Sequence, residues 1–272
     1  MPRRIFVLNL LKHLIQRHAI FLCINMFLLA GLQFLICAIV SMIDIPGIVN
    51  ESMKNIPPFM RALIEQQFLG GLNQKGLLAF GWNHPIALAI GTAVALVFAS
   101  RAVAGEIESG AMELLLSQPI ARLSYFTGHV LFALTSIALL SLIGVCGTLI
   151  GIHVYSLAPI DGIILFKVAL NFFLLHSAWY GITLLFSVFG REAGRVAFIG
   201  FVLALVSYFV QVIAQLWTKA AFLLPYTLHT YYSPQKIFVN SEIKPISVIV
   251  LMGFIVVSIG IAGWRFRERD IP

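Results

Sequence analysis

The chain has 272 residues, of which 60% are hydrophobic and only 11% are charged, and its mean hydropathy is +0.97. This composition lies far outside the range of soluble globular proteins and excludes a soluble enzyme. The formal net charge of +7 does not indicate a nucleic-acid-binding protein, because the basic residues flank apolar segments instead of forming a patch on a soluble domain.

The apolar segments predict membrane-spanning helices, because lipid offers no hydrogen-bond partner to free backbone groups. We expect an all-α membrane protein with about six transmembrane helices in a single transmembrane domain, residues 1–272. This length does not accommodate such a bundle together with a separate nucleotide-binding domain. The predicted spans are about 20–43, 86–104, 130–151, 163–189, 196–216 and 245–264.

Two segments outside the spans have the pattern of amphipathic interfacial helices. In residues 3–18 apolar residues recur at helical spacing, which predicts a helix lying on the cytoplasmic leaflet. The alternative for this segment is a simple extension of the first span. Residues 60–68, which follow Pro57 and Pro58, show the same alternation and predict a second interfacial helix.

The spans themselves contain few polar groups. Small residues occur at every fourth position from residue 87 to residue 99, which predicts a packing face on the second span. Lys167 and Asn171 lie four residues apart on the fourth span and could form a polar stripe along a substrate path. The alternatives are that Lys167 reaches the outer membrane surface and that Asn171 forms an interhelical hydrogen bond.

The distribution of Lys and Arg favours one orientation in the membrane. The segments expected in the cytoplasm hold eleven of these residues, and the opposite segments hold seven, spread over longer loops. With an even number of spans, both termini are then expected in the cytoplasm, with the chain in the inner (plasma) membrane. The inverted alternative would require translocation of most of the short arginine-bearing segments.

No catalytic or metal site is predicted. Cys23, Cys37 and Cys146 lie in apolar segments without CxxC spacing, and the seven histidines are scattered singly. Asp44 and Asp161, the aspartates nearest to the spans, lie at the outer ends of the helices. We therefore expect packing roles for the cysteines and no enzyme activity in this chain.

Residues 101–122, between the second and third spans, are the only predicted cytoplasmic stretch in which acidic residues cluster. We expect Glu106, Glu108 and Glu113 near the start of a short cytoplasmic coupling helix, where carboxylates suit the partial positive charge of the helix N-terminus. The three leucines that follow would offer an apolar contact to a partner, and Pro119 would end the helix. The alternative is a solvated turn.

This segment resembles the signature loop of type 2 ABC export permeases, through Gly105-Glu106-x-Glu108-x-Gly110 followed by Glu113-Leu114-Leu115-Leu116-Ser117-x-Pro119-Ile120-x-Arg122. Phe266-Arg267-Glu268-Arg269-Asp270-Ile271 likewise resembles the short basic tail of that family. The sequence departs mildly from the pattern at Ser109 and Ala111. The resemblance assigns the following residues to a helix that contacts the ATPase: Glu106, Glu108, Gly110, Glu113, Leu114, Leu115, Pro119 and Arg122.

The resemblance implies the permease subunit of an ATP-driven exporter. Because the chain contains no G-x-x-x-x-G-K-[ST] phosphate loop, we expect no cofactor on it and expect ATP and Mg²⁺ on a cytoplasmic ABC ATPase subunit, present in two copies. A second permease subunit, identical or homologous, would complete the transporter. The six-span organisation also resembles permeases of multicopper-enzyme maturation systems, but the substrate stays open.

Two other classes of function are not excluded by the sequence. An ion-gradient-driven secondary transporter would need ionisable residues near mid-membrane and broken helices. A structural membrane anchor or assembly factor would act without an ATPase.

Overall fold

A computed structural model describes residues 3–42, 73–112 and 122–269 of the chain. All regular secondary structure in these residues is helical. The elements are α1 (Arg3–Met42), α2 (Gln74–Asn83), α3 (Pro85–Ser100), a π-helical turn (Arg101–Gly105), α4 (Glu106–Glu108), α5 (Arg122–Val154), α6 (Gly162–Phe189), α7 (Ala193–Leu216), two 3₁₀-helices (Thr218–Tyr226 and Leu228–Tyr231), α8 (Pro234–Asn240) and α9 (Pro245–Glu268).

Six helical segments in the described residues are long and apolar enough to cross a membrane, which confirms the prediction of an all-α protein with about six transmembrane helices. We call them spans one to six: Asn9–Met42, Gln74–Glu108, Arg122–Val154, Gly162–Phe189, Ala193–Leu216 and Pro245–Glu268. Each predicted span falls within one of these segments, apart from Ile43, which lies outside the described residues. Span two is interrupted at His84, whose side chain caps α3 just before Pro85.

Residues 3–18 do not form a separate surface helix, contrary to our prediction. They are the first turns of α1, which is continuous over 40 residues. Leu10 and Leu14 are buried, and the side chain of Leu10 packs so closely on Gly128 of α5 that a Cβ there would lie 2.6 Å from it. The apolar face of this segment is therefore used against span three, and the alternative of a simple extension is the one observed. The second predicted interfacial helix, residues 60–68, lies outside the described residues.

Span four lies at the centre of the bundle. It packs against spans two, three, five and six, while spans one and three run along each other. The predicted small-residue face of α3 is confirmed, because a Cβ on Gly91 would lie 2.4 Å from the imidazole of His176 on α6. Between spans one and three, a Cβ on Gly147 would lie 2.3 Å from the carbonyl oxygen of Ala30. Of the six spans, α7 is the least buried, and most of its large apolar side chains are exposed.

Arginines gather at one end of the bundle, which we call the arginine-rich end. It is defined by the start of span three at Arg122, the junction between spans four and five at Arg191 and the end of span six at Arg269. Arg122 donates a hydrogen bond to the carbonyl of Arg269 (2.6 Å), and Arg269 donates to the carbonyl of Gly190 (3.1 Å). These contacts bring spans three, four and six to the same level.

Lys167 and Asn171 lie toward the opposite end and have structural partners. Lys167 Nζ donates to the carbonyl of Ser241 (2.6 Å). Asn171 is buried; its Nδ2 donates to the carbonyl of Tyr231 (3.1 Å), and its Oδ1 accepts from the N–H of Ser233 (3.0 Å). The two side chains hold the segment between spans five and six, in agreement with the alternatives of an end-directed lysine and a hydrogen-bonding asparagine.

Candidate ATPase-coupling site

The candidate site begins where α3 widens into the π-helical turn Arg101–Gly105. Tyr125 Oη donates to the carbonyl of Ala102 (3.1 Å) from span three. Ser187 of span four accepts from the N–H of Ala104 (3.0 Å) and donates to the carbonyl of Ser100 (3.1 Å). Wide turns of this kind recur at functional sites in helices. Here the turn is anchored to two other spans by hydrogen bonds.

Glu106 and Glu108 do not lie at the start of a separate helix, contrary to our prediction. They form the last turn of span two, because the hydrogen-bonded backbone continues through the π turn into α4. Gly110 then adopts the left-handed conformation (φ +72°), which ends the helix. The argument from a positive helix N-terminus therefore does not apply to these two carboxylates. Helical backbone resumes at residues 111–112.

Four of the predicted site residues lie outside the described residues: Glu113, Leu114, Leu115 and Pro119. The other four, Glu106, Glu108, Gly110 and Arg122, are all found at the arginine-rich end. Their assignment to ATPase contact stays a prediction. The structure shows what the three charged side chains contact within the chain itself.

Glu106 is buried, with 6% of its surface exposed, and forms an ion pair with Arg17 of α1. Glu106 also lines a small cavity together with Arg101, His18 and His129. In this conformation the carboxylate therefore faces the interior and ties span two to span one. No local sequence pattern indicates this pairing, because the two residues are 89 positions apart.

Glu108, at the end of span two, is exposed and contacts the beginning of span five. Its Oε2 accepts a hydrogen bond from the N–H of Ala193 (2.8 Å), the first residue of α7. The side chain of Glu192, which precedes α7, forms no capping hydrogen bond. Glu108 thus satisfies a helix-terminal N–H from another element and places its charge at the positive end of the α7 dipole. This contact links the end of span two directly to span five.

The two stretches that carry the family resemblance meet at this end of the protein. Arg122, the last residue of the coupling motif, contacts Arg269 of the tail, and Arg269 in turn contacts the carbonyls of Val188 and Gly190. The tail therefore closes the junction between spans four and five. The motif spacing alone did not indicate this contact.

An apolar groove of about 670 Å³ runs between α3 and α7, lined by residues that include Leu88, Thr92, Leu96 and Phe201. His229 lies at one end of the groove, where its Nδ1 forms a hydrogen bond with Ser207 Oγ (3.1 Å). Burial lowers the pKa of His229 to about 3, so the imidazole is neutral at physiological pH. The groove is formed by residues more than 100 positions apart, and sequence analysis had identified no such site.

The described part of the chain holds no group of three or more His, Cys, Asp or Glu side chains that could bind a metal ion. Of the cysteines, Cys37 is buried, and a Cβ on Gly151 of α5 would lie 2.7 Å from its Sγ. This contact agrees with the packing role expected for Cys37, whereas Cys23 and Cys146 are exposed and the structure does not bear out the same role for them.

The fold is that of a multi-pass, all-helical membrane protein whose distinctive segment joins spans two and three. A model of the ABC-2 family transporter proteins matches residues 13–271, and the chain therefore belongs to this family. No curated protein matches the sequence. The family confirms the resemblance found in the two motifs and identifies the chain as a permease, the membrane subunit of a transporter and not itself the catalytic one.

Proposed function

We propose that the chain couples ATP hydrolysis by a separate cytoplasmic ABC ATPase to movement of a substrate out of the cell. Family membership supports a transporter subunit, and the observation that carries the coupling is the set of contacts made by residues 101–108. Arg17, Ser187 and Ala193 connect this short segment to spans one, four and five.

The contacts suggest how a force applied at the arginine-rich end would reach the membrane. An ATPase that moves residues 101–122 on closing would also move the N-terminus of α7 through Glu108, and α1 through Glu106. Packed helices respond to such a push by tilting as rigid bodies. Because α3 and α7 form the two walls of the apolar groove, their relative tilt would change its width.

We infer the rest of the assembly from the family. Two ATPase subunits, with ATP and Mg²⁺ bound to them, would pair with this chain and a second permease subunit, identical or homologous. Both termini would lie in the cytoplasm and the protein in the inner (plasma) membrane, because the arginines at the coupling end suit the cytoplasmic side. A link to multicopper-enzyme maturation stays a prediction from the sequence resemblance, and we propose no substrate.

The ion-coupled alternative has little support in the described residues. Among the residues whose burial the structure describes, Glu106 is the only buried Asp, Glu, Lys or Arg, and it lies at the end of a span. His176 is fully buried within span four, and its two ring nitrogens lie 2.8 Å and 3.3 Å from the carbonyl oxygens of Phe172 and Leu88. This environment fits a packing role for the imidazole.

The proposal is tested by isolating the tagged chain from its native membrane in mild detergent, with mass spectrometry and an ATPase assay of the eluate. We expect a polypeptide with a phosphate-binding loop to co-purify, and we expect crosslinking through cysteines placed between residues 106 and 122 to increase its yield. The matched control places the cysteine at exposed Glu242, near the opposite end. Absence of any ATPase after crosslinking would contradict the proposal and favour an anchor or an ion-coupled carrier.

A further inference from the structure

Three arginines lie where span four and span six end, in a cluster that we call the arginine corner: Arg191, Arg265 and Arg269. Arg269 donates to the carbonyls of Val188 and Gly190 at the end of α6. Arg265 lies one helical turn before Arg269, with Cζ 5.6 Å from the centre of the Phe189 ring. Arg191 follows Gly190 directly and is exposed. Arg265 and Arg269 therefore contact residues 188–190 at the end of span four, and Arg191 follows these residues directly.

No described acid forms an ion pair with Arg191, Arg265 or Arg269; the acids that neighbour them in sequence are the exposed Glu192 and Glu268. Within the described residues the ion pairs are Arg17–Glu106 and Arg195–Glu192, so the acid next to Arg191 is already used by Arg195 (3.0 Å). Burial, together with the positive charges of Arg191 and Arg265, lowers the pKa of Arg269. The corner is thus a concentration of positive charge that an anion would stabilise.

The surroundings of the corner place it at a membrane boundary. Phe189 is the last residue of span four and is 59% exposed, and Trp264, in the final turns of span six, is 60% exposed. Aromatic rings at span ends followed by arginines are typical of the interfacial layer, where the rings contact lipid and the charges reach the headgroups. A docking site for a water-soluble partner would not need two large exposed rings beside the arginines.

We propose that the arginine corner binds the phosphate of an anionic phospholipid in the leaflet at the arginine-rich end. The forked N–H groups of arginine match phosphate oxygens, and basic pockets between membrane helices suit acidic headgroups. Arg191 and Arg265 supply the contacts to phosphate, because Arg269 is partly occupied by its two carbonyl partners. The acyl chains would lie along Phe189 and Trp264. The bound lipid would join the ends of spans four and six beside the coupling segment.

The test is native mass spectrometry of the intact chain, with whatever subunits co-purify, titrated with phosphatidylglycerol or phosphatidylcholine in detergent. We expect a preference for phosphatidylglycerol that the double variant Arg191→Gln with Arg265→Gln loses. Since one basic residue near an anionic surface is worth about fivefold in affinity, the double variant should bind about thirtyfold more weakly. The control, Lys219→Gln with Lys244→Gln, removes the same charge at the opposite end and should keep the preference.

Four outcomes would overturn the proposal. Equal binding of both lipids would show that the corner does not select an anion. Equal losses in the two double variants would show an effect of net charge alone. Competition by inorganic phosphate at the same concentration as the lipid would show a free-phosphate site. Loss of the co-purified ATPase from the Arg191→Gln, Arg265→Gln variant, with unchanged lipid binding, would show that the corner serves a protein partner.

Discussion

Arg17 and Glu106 form an ion pair at the arginine-rich end, between span one and the last turn of span two. Glu106 is nearly enclosed, while the Arg17 side chain keeps 37% of its surface exposed. A buried carboxylate that loses its cationic partner still carries the free-energy cost of its desolvation. The pair is therefore expected to matter for stability before any partner binds.

We predict that Arg17→Gln lowers the free energy of unfolding by about 2 kcal/mol, because Glu106 is left buried without its cation. The measurement is an apparent unfolding free energy in detergent. Arg195→Gln is the matched control: it breaks the exposed pair with Glu192, whose side chains are 81% and 50% exposed, and should cost less than about 1 kcal/mol. Unchanged stability in Arg17→Gln would show that the ion pair does not stabilise the fold and would contradict the prediction.

At the scale of elements, the spans were predictable and their junctions were not. A long apolar run can only be a helix in lipid, so span positions follow from composition alone. The continuation of α3 through Arg101–Gly105 depends instead on Tyr125 and Ser187, which are distant in sequence. The prediction of an interfacial helix over residues 3–18 was wrong because their apolar face fits a lipid surface as well as it fits α5.

The candidate site was predicted as a set of residues but not as a set of contacts. Glu106, Glu108 and Arg122 do come to one end of the bundle. Their partners, however, are a side chain of α1, a backbone N–H of α7 and a carbonyl of the tail. Backbone partners leave no pattern in a single sequence, so no spacing rule could have identified two of these three contacts.

The contact between Glu108 and α7 can be tested by changing the side chain of Glu108. Glu108→Lys removes the acceptor for the Ala193 N–H and should lower the amount of ATPase that co-purifies about fivefold, the size of a lost helix cap. Glu108→Gln keeps an oxygen at the same position and should retain most of the binding. Glu268→Lys, at an exposed site of the same end, controls for the added charge, and membrane levels of each variant are measured in parallel.

The glutamine variant separates two explanations of the same loss. Binding reduced equally in both Glu108 variants would mean that the negative charge itself contacts the ATPase, as the family resemblance implies. Unchanged binding in Glu108→Lys would contradict both explanations and remove Glu108 from the coupling site.

At the scale of the whole molecule, the two ends of the bundle differ in both charge and construction. The arginine-rich end is closed by charged side chains bonded to one another and to helix-end carbonyls. The opposite end carries lysines and the short helices between spans five and six, held by Lys167 and Asn171. An ATPase requires a cytoplasmic surface that responds to force. An ion pair and hydrogen bonds tie residues 101–108 to spans one, three, four and five, while hydrogen bonds at the opposite end likewise tie residues 229–233 to spans two, four and five. The arginines and the family motif, and not the number of tied spans, therefore distinguish the end expected to meet the ATPase.

Orientation is therefore the assumption on which the coupling proposal depends, and it can be measured directly. In a variant without the three native cysteines, we predict that Glu242→Cys reacts with a membrane-impermeant maleimide from outside intact cells. Ser109→Cys, exposed at the arginine-rich end, should react only after the membrane is opened. The positive-inside rule favours this orientation, because it places eleven of the eighteen Lys and Arg residues on the cytoplasmic side, in the shorter segments. The reverse pattern would put residues 101–122 outside the cell, where no ATP-driven partner could reach them, and would leave the ion-coupled carrier and the anchor as the functions to test.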